Sequence, residues 1–186
     1  MKADFRVCLD ACVLANIGVA DLLLRLAERP RQYLPVWSEE ILAEVRRTHV
    51  EKLRWPVALA DRFGGELRTH FPEAVASDFD HLIGAMENDP KDRHVLAAAV
   101  QADAEIILTF NLKDFPTRVL GQHGLIRRDP DGMLAELLNE EPEATGAAAG
   151  LVLARANAMG RRWTARDLYR KARLPRFAKA VSARLD

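Results

Sequence analysis

An α/β domain built on a central parallel sheet and followed by a helical extension is the fold class that this 186-residue sequence predicts. Three observations carry the prediction. Short apolar runs suited to buried strands, "FRVCLD" (5–10) and "EIILTF" (105–110), are separated by segments with helical periodicity. After Asp129-Pro130 there is no strand candidate, and "MLAELL", "AAAGLVLARANAM" and "TARDLYRKARL" are all helix-like. Finally, 49% of the residues are hydrophobic and 29% charged, a balance that lets a chain of this length bury a core without disulfides or structural metal.

Taken in order, the first strand ends in an acid, Asp10. "ADLLLRLAER" (20–29) follows with Leu22, Leu23, Leu26 and Ala27 on one helical face. "YLPVW" (33–37) is a second strand, weakened by Pro35. Ser38 is placed to cap a helix whose first turn holds Glu39 and Glu40, where the dipole favours acids. Its stripe is Ile41, Leu42 and Val45, and it runs to about His49. Residues 55–87 read as helix broken at Gly64-Gly65 and Pro72. The turn "DPKD" (89–92) feeds a helix carrying Val95, Leu96, Ala99 and Val100 at helical spacing. "EIILTF" is the best strand in the chain, and "GLIRR" (124–128) is another. The expected division is a domain over 1–129 and a basic helical extension over 130–186, with a break near "EEPEATG" (140–146).

The formal net charge is zero, yet from Leu151 onward there are ten basic residues against two acids. That asymmetry suggests a basic surface for nucleic acid or an acidic partner beside an acidic site; the plain alternative is that the two halves pack together. Cys8 and Cys12 are not a C-x-x-C pair and read as buried, reduced thiols. Asp4, Arg6 and Asp10 interrupt the apolar N-terminus, and no stretch could span a bilayer, so a cytoplasmic protein is expected.

In a parallel α/β sheet the ligand crevice lies beyond the carboxyl ends of the strands. That rule selects a few of the 27 acids. Asp10 ends the first strand; Asn111 and Asp114 follow the best one; Asp92 opens the helix leading into it; Glu44 borders its helix's apolar stripe. Each has a structural explanation alone: a turn cap for Asp10, a solvated helix position for Glu44, an N-cap for Asp92, a turn acid for Asp114. As a set they would repel one another unless a cation sat among them. Mg²⁺ or Mn²⁺ prefers oxygen ligands and keeps several waters, and such a site suits phosphodiester hydrolysis.

Other chemistries lack their residues. There is no G-x-x-x-x-G-K-[ST] loop, no G-x-G-x-x-G after a strand and no G-x-S-x-G elbow. The five histidines are scattered without zinc-ligand spacing, and solvated or packing roles are the default for each. A phosphatase using Asp10 as nucleophile would want an acid two residues on, where Cys12 stands. Trp37, Trp55 and Trp163 read as packing residues.

The blocks "VCLDACVL", "WSEEILAEVRR", "NDPKDRHVLAAAV" and "EIILTFNLKDFP" occur in an order and at spacings that resemble PIN-domain ribonucleases. Within that family the chain is most similar to the VapC-type toxins of bacterial toxin–antitoxin pairs, in particular a subgroup with a helical C-terminal extension. The resemblance covers about residues 5–128 and, more loosely, the extension. It implies a three-layer α/β/α domain and Mg²⁺- or Mn²⁺-dependent cleavage of RNA, inhibited by a cognate antitoxin, in a family where homodimers are common. The family's acids fall on Asp10, Glu44 and Asp92. Its fourth acid falls on Asn111, with Asp114 the nearest carboxylate, and Cys12 stands where many relatives carry Asn or Ser.

The roles this implies give Asp10 and Asp92 the metal contacts, direct or through water. Glu44 is a further ligand or positions the attacking water. Asn111 and Asp114 hold the outer shell, Thr109 orients a carboxylate, and Arg93 pairs with an acid or a phosphate. Arg161, Arg162, Arg166, Arg170 and Lys171 could hold the RNA backbone or dock on a partner. The rival from another class is a PIN-like module that has lost catalysis and only binds RNA or a protein, a reading that Asn111 favours. A metal-dependent phosphatase or a structure-specific DNA nuclease is a third.

Overall fold

The computed structural model describes residues 5–28 and 31–185; Asp4, Arg29 at the end of the expected first helix, and Asp186 lie outside them. Among the described residues four strands, β1 (Arg6–Leu9), β2 (Leu34–Val36), β3 (Ile106–Leu108) and β4 (Ile126–Arg128), form one sheet in the order β2-β1-β3-β4. All pairings are parallel, with Cys8 opposite Val36 and Ile107, and Ile107 opposite Arg127. The fold is the expected α/β class with a helical extension. Val7, Cys8, Leu9, Ile107 and Leu108 are wholly buried, which explains why β1 and β3 read as continuous apolar runs instead of alternating ones.

Pro35 is accommodated because β2 is the outer strand, where a missing N–H costs no ladder bond on the open side. Beyond it the Trp37 amide donates to Ala74 O (2.9 Å), and the Ala76 amide donates back to Trp37 O (2.7 Å).

The helices are α1 (Ala11–Leu14), α2 (Ile17–Ala27), α3 (Glu39–Arg47), α4 (Val57–His70), α5 (Asp80–Ile83), α6 (Arg93–Gln101), α7 (Thr117–Gly121), α8 (Pro130–Glu140), α9 (Pro142–Ala158), α10 (Ala165–Lys171) and α11 (Pro175–Leu185). Ser38 caps α3, its Oγ accepting the Ile41 amide (3.3 Å), and a π-turn at Thr48–Lys52 extends that helix past His49.

One expectation is corrected here. α4 runs straight through Gly64-Gly65, and only Phe71, ahead of Pro72, ends it. Two interior glycines cost about 1 kcal/mol each relative to alanine, too little to break a helix anchored by buried Ala60 and Leu67. The expected break in the extension falls at Glu141, between α8 and α9.

The chain forms two compact units. One holds the sheet and comprises the N-terminal residues up to Ala15 together with 33–128. In it α6 packs on β1 and β3, and α3 on α1. The other is helical and joins 16–32 to 129–186. Its ties are polar as well as apolar. The Asp131 carboxylate, buried in α8, accepts the amides of Arg176 (3.0 Å) and Phe177 (2.8 Å) in the first turn of α11. The Tyr169 hydroxyl donates to Ala149 O (2.7 Å), and Asn16 Nδ2 to Ala172 O (2.9 Å).

Candidate active site

The strand order changes direction between β1 and β3, the switch point where an open parallel sheet leaves a crevice beyond its strand ends. The residue after β1 is Asp10 and the residue after β3 is Thr109. The register Leu9 opposite Leu108 brings the two side by side. The Asp10 amide donates to Leu108 O (3.1 Å), completing the ladder.

Asp10 is buried but does not cap α1 with its side chain. Its Oδ2 accepts the Thr109 hydroxyl at 2.6 Å, a short charge-assisted bond, and the Cys12 thiol at 3.1 Å. Cys12 Sγ accepts the Phe110 amide (3.3 Å), and Thr109 Oγ1 accepts the Asn111 amide (2.9 Å). Cys12 is therefore a member of the site, a role that the expectation of a buried packing thiol does not contain. Burial and the Asp10 charge push this thiol up to about 12, so it stays a hydrogen-bond donor at neutral pH. The sequence marks it only as the residue standing where many relatives in the resembled family carry Asn or Ser.

Asp92 lies at the junction of a 3-10 turn (Pro90–Asp92) and α6, and its side chain caps nothing. Its Oδ2 is buried without a hydrogen-bond partner. Burial, then the charge of Asp10, raise its carboxyl to about 6; Lys91 opposes the shift, and Asp114 and Asp89 add to it.

Asp114 is buried at the end of another 3-10 turn (Leu112–Asp114), whereas Asn111, which opens that turn, is exposed. Lys91 Nζ lies 3.7 Å from Asp114 Oδ2 and 3.9 Å from Asp92 Oδ2. Sequence reasoning does not find Lys91, because an exposed lysine in a turn carries no pattern.

Glu44 is partly exposed on α3, near Arg47 (3.4 Å) and His94 Nε2 (3.9 Å). A solvated or packing role is the default for His94 in the sequence, and only the fold brings it to Glu44. Arg93 Nε is buried without a hydrogen-bond partner. In the helical unit Arg161, Arg162, Arg166, Arg170 and Lys171 are all exposed. Trp163 is overlaid there by the Arg161 guanidinium (4.3 Å to the ring centre) and approached by Lys171 (5.7 Å), a cation–π arrangement.

The profile described as "PIN domain" matches residues 6–113, more than half of the sequence. The chain belongs to the PIN-domain family. The PIN match takes in the segments of Asp10, Glu44 and Asp92 and stops just short of Asp114. Over 74 residues the chain is 47% identical to "Putative ribonuclease VapC50" of Mycobacterium tuberculosis H37Rv. That stretch is 40% of this chain and 44% of the relative, so the chain spans less than half the length of the protein it matches. No solved structure matches.

The donor set of this PIN domain fits a hard divalent cation. A buried carboxylate oxygen on Asp92 that accepts no hydrogen bond, in a group raised by burial and then by the charge of Asp10, is what a cation would satisfy. Among the described residues no three His, Cys, Asp or Glu side chains form a ready-made cage. An ion that keeps several waters and takes one or two carboxylates is the kind these residues suit.

Proposed function

We propose that this protein is a Mg²⁺- or Mn²⁺-dependent ribonuclease that hydrolyses RNA phosphodiester bonds and acts as the toxin of a toxin–antitoxin pair. The observation that carries the reading is the acid cluster at the β1/β3 switch point, where beside Asp10 and Asp114 a buried Asp92 oxygen accepts no hydrogen bond and has only the Lys91 ammonium 3.9 Å away. Family membership and the ribonuclease name of the 47%-identical relative support it.

Asp10 and Asp92 would hold the cation, which when bound supplies Lewis-acid stabilisation of the phosphate and a more acidic water. Thr109 and Cys12 fix the Asp10 carboxylate by two hydrogen bonds to one oxygen, so its orientation is set before any substrate arrives. Glu44, with one face to water, positions the attacking water and takes its proton. Arg93, whose Nε has no protein acceptor, orients toward a phosphate. Asp114 shapes the outer shell, and exposed Asn111 reaches the RNA as a neutral donor. The basic residues of α10 and its approach hold the backbone.

The partners of this reading are RNA, a cognate antitoxin that covers the site and a second copy of the chain, all in the cytoplasm. Among the described residues no helix is long and apolar enough to cross a membrane.

Purified protein is expected to degrade RNA with Mg²⁺ or Mn²⁺ and to stop on addition of chelator. Asp10→Asn and Asp92→Asn should each lower the rate by at least about 100-fold, as removal of a metal ligand does. Unchanged rates in both variants would sink the assignment. The neutral Asn111 favours one second reading, a PIN module that binds RNA without cutting it. Calorimetric titration with Mg²⁺ separates the two, because such a module binds the metal weakly or not at all.

A further inference from the structure

The acids at the switch point are not alone. Lys91, between Pro90 and Asp92, puts its ammonium between Asp114 Oδ2 (3.7 Å) and Asp92 Oδ2 (3.9 Å). The side chain is 66% exposed, so burial does not force this placement; the charges attract it.

The position that could have brought a further acid beside Asp114 is the neutral Asn111, and the Asp92–Asp114 pair already has one cation set against it.

We propose that the Lys91 ammonium takes the place of a second divalent cation between Asp92 and Asp114, so that this is a one-metal centre with a built-in positive charge. The inference rests on the metal-dependent reading above and deepens it. Lys91 acts as a positioning residue. It holds Asp114 and Asp92 in register while Asp10 and Asp92 take the single ion. It also offers a fixed cation to a phosphate, where a bound metal would have to be recruited from solution.

The test counts ions and does not depend on turnover. Mn²⁺ alone is titrated into the metal-free full-length protein and followed by calorimetry and by the decline of the free-ion paramagnetic resonance signal. Wild type is expected to bind one Mn²⁺ per chain. Lys91→Met should bind two, the second at the vacated Asp92–Asp114 position, and Lys91→Arg, which keeps the charge, should return to one. Adding Asp114→Asn to Lys91→Met should abolish the second ion and spare the first. Two ions in wild type, or one in Lys91→Met, would overturn the inference and leave the metal-dependent reading standing. No ion in any variant would overturn both.

Discussion

Asp10 and Asp92 are both carboxylates at one crevice, and they are treated oppositely. Asp10 has two protein donors on one oxygen; the buried Asp92 oxygen accepts no hydrogen bond, and the like charges near it outweigh Lys91. The sign of the consequence follows. With a folded value near 6 against 3.8 for the free side chain, the native state keeps a proton on Asp92 over that window while the unfolded chain has lost it. Stability therefore falls as pH rises from about 4 to about 6 and stays lowered above that. Water reaches part of this carboxyl and screens it, which discounts the effect to roughly 1 kcal/mol. Asp92→Asn should accordingly raise the melting temperature of the metal-free protein at pH 7.5 by about 2–4 °C, the shift that such an energy makes in a chain of this length. It should give no gain at pH 4. Asp10→Ala, which removes the acceptor of the Thr109 and Cys12 hydrogen bonds, should lower it at both. Saturating Mn²⁺ should stabilise wild type and leave Asp92→Asn almost unmoved, since only a native state that binds the ion gains from it. Thermal scans at the two pH values, with and without Mn²⁺, decide the matter.

At the scale of elements, α4 shows what periodicity conveys and what it conceals. A Cβ at Gly65 would meet nothing within 4 Å, and one at Gly64 would meet only the movable end of Arg68 at 3.1 Å. Gly65→Ala should therefore stabilise the protein by about 1 kcal/mol, the helix-propensity difference. Gly124→Ala should destabilise it, because φ there is +71°. Denaturant midpoints for the two variants check both signs. Gly64-Gly65 reads as a break because propensity is local, whereas Ala60 and Leu67 anchor the helix from its buried face. β1, β3, α3 and α6 are legible in the sequence because burial imposes a pattern on them. Asp10 and Asp92 are legible because an acid closing an apolar run or opening a helix stands out. Cys12, Lys91 and His94 are not. Their interactions cross from β1's end to β3's, from one turn to another, and from α6 to α3, and no spacing along the chain encodes those distances.

For the whole molecule the question is what the basic C-terminal residues do. Deleting everything after about residue 130 would confuse the answer. Residues 16–32 belong to the same compact unit as 129–186. Asn16 bonds Ala172 O, Gln32 bonds Thr145 (3.2 Å), and Asp21 pairs with Arg155 (3.4 Å). A truncation would strip α2 of its partners as well as removing charge, so weaker RNA binding would report damaged structure. Arg162, Arg166 and Arg170 are exposed, and neither Arg162 nor Arg166 has a role in the capping box of Thr164 and Asp167 that starts α10. Arg161 and Lys171 are better left in place, since both lie against Trp163. The triple substitution Arg162→Gln, Arg166→Gln, Arg170→Gln should leave the melting temperature within a degree or two. If these side chains neutralise phosphates, the slope of log affinity for single-stranded RNA against log salt should become shallower by about 0.7 for each phosphate released, up to about 2 in all. With Asp10→Asn as background, binding is read without cleavage. An unchanged slope would assign this face to a protein partner instead of the RNA backbone.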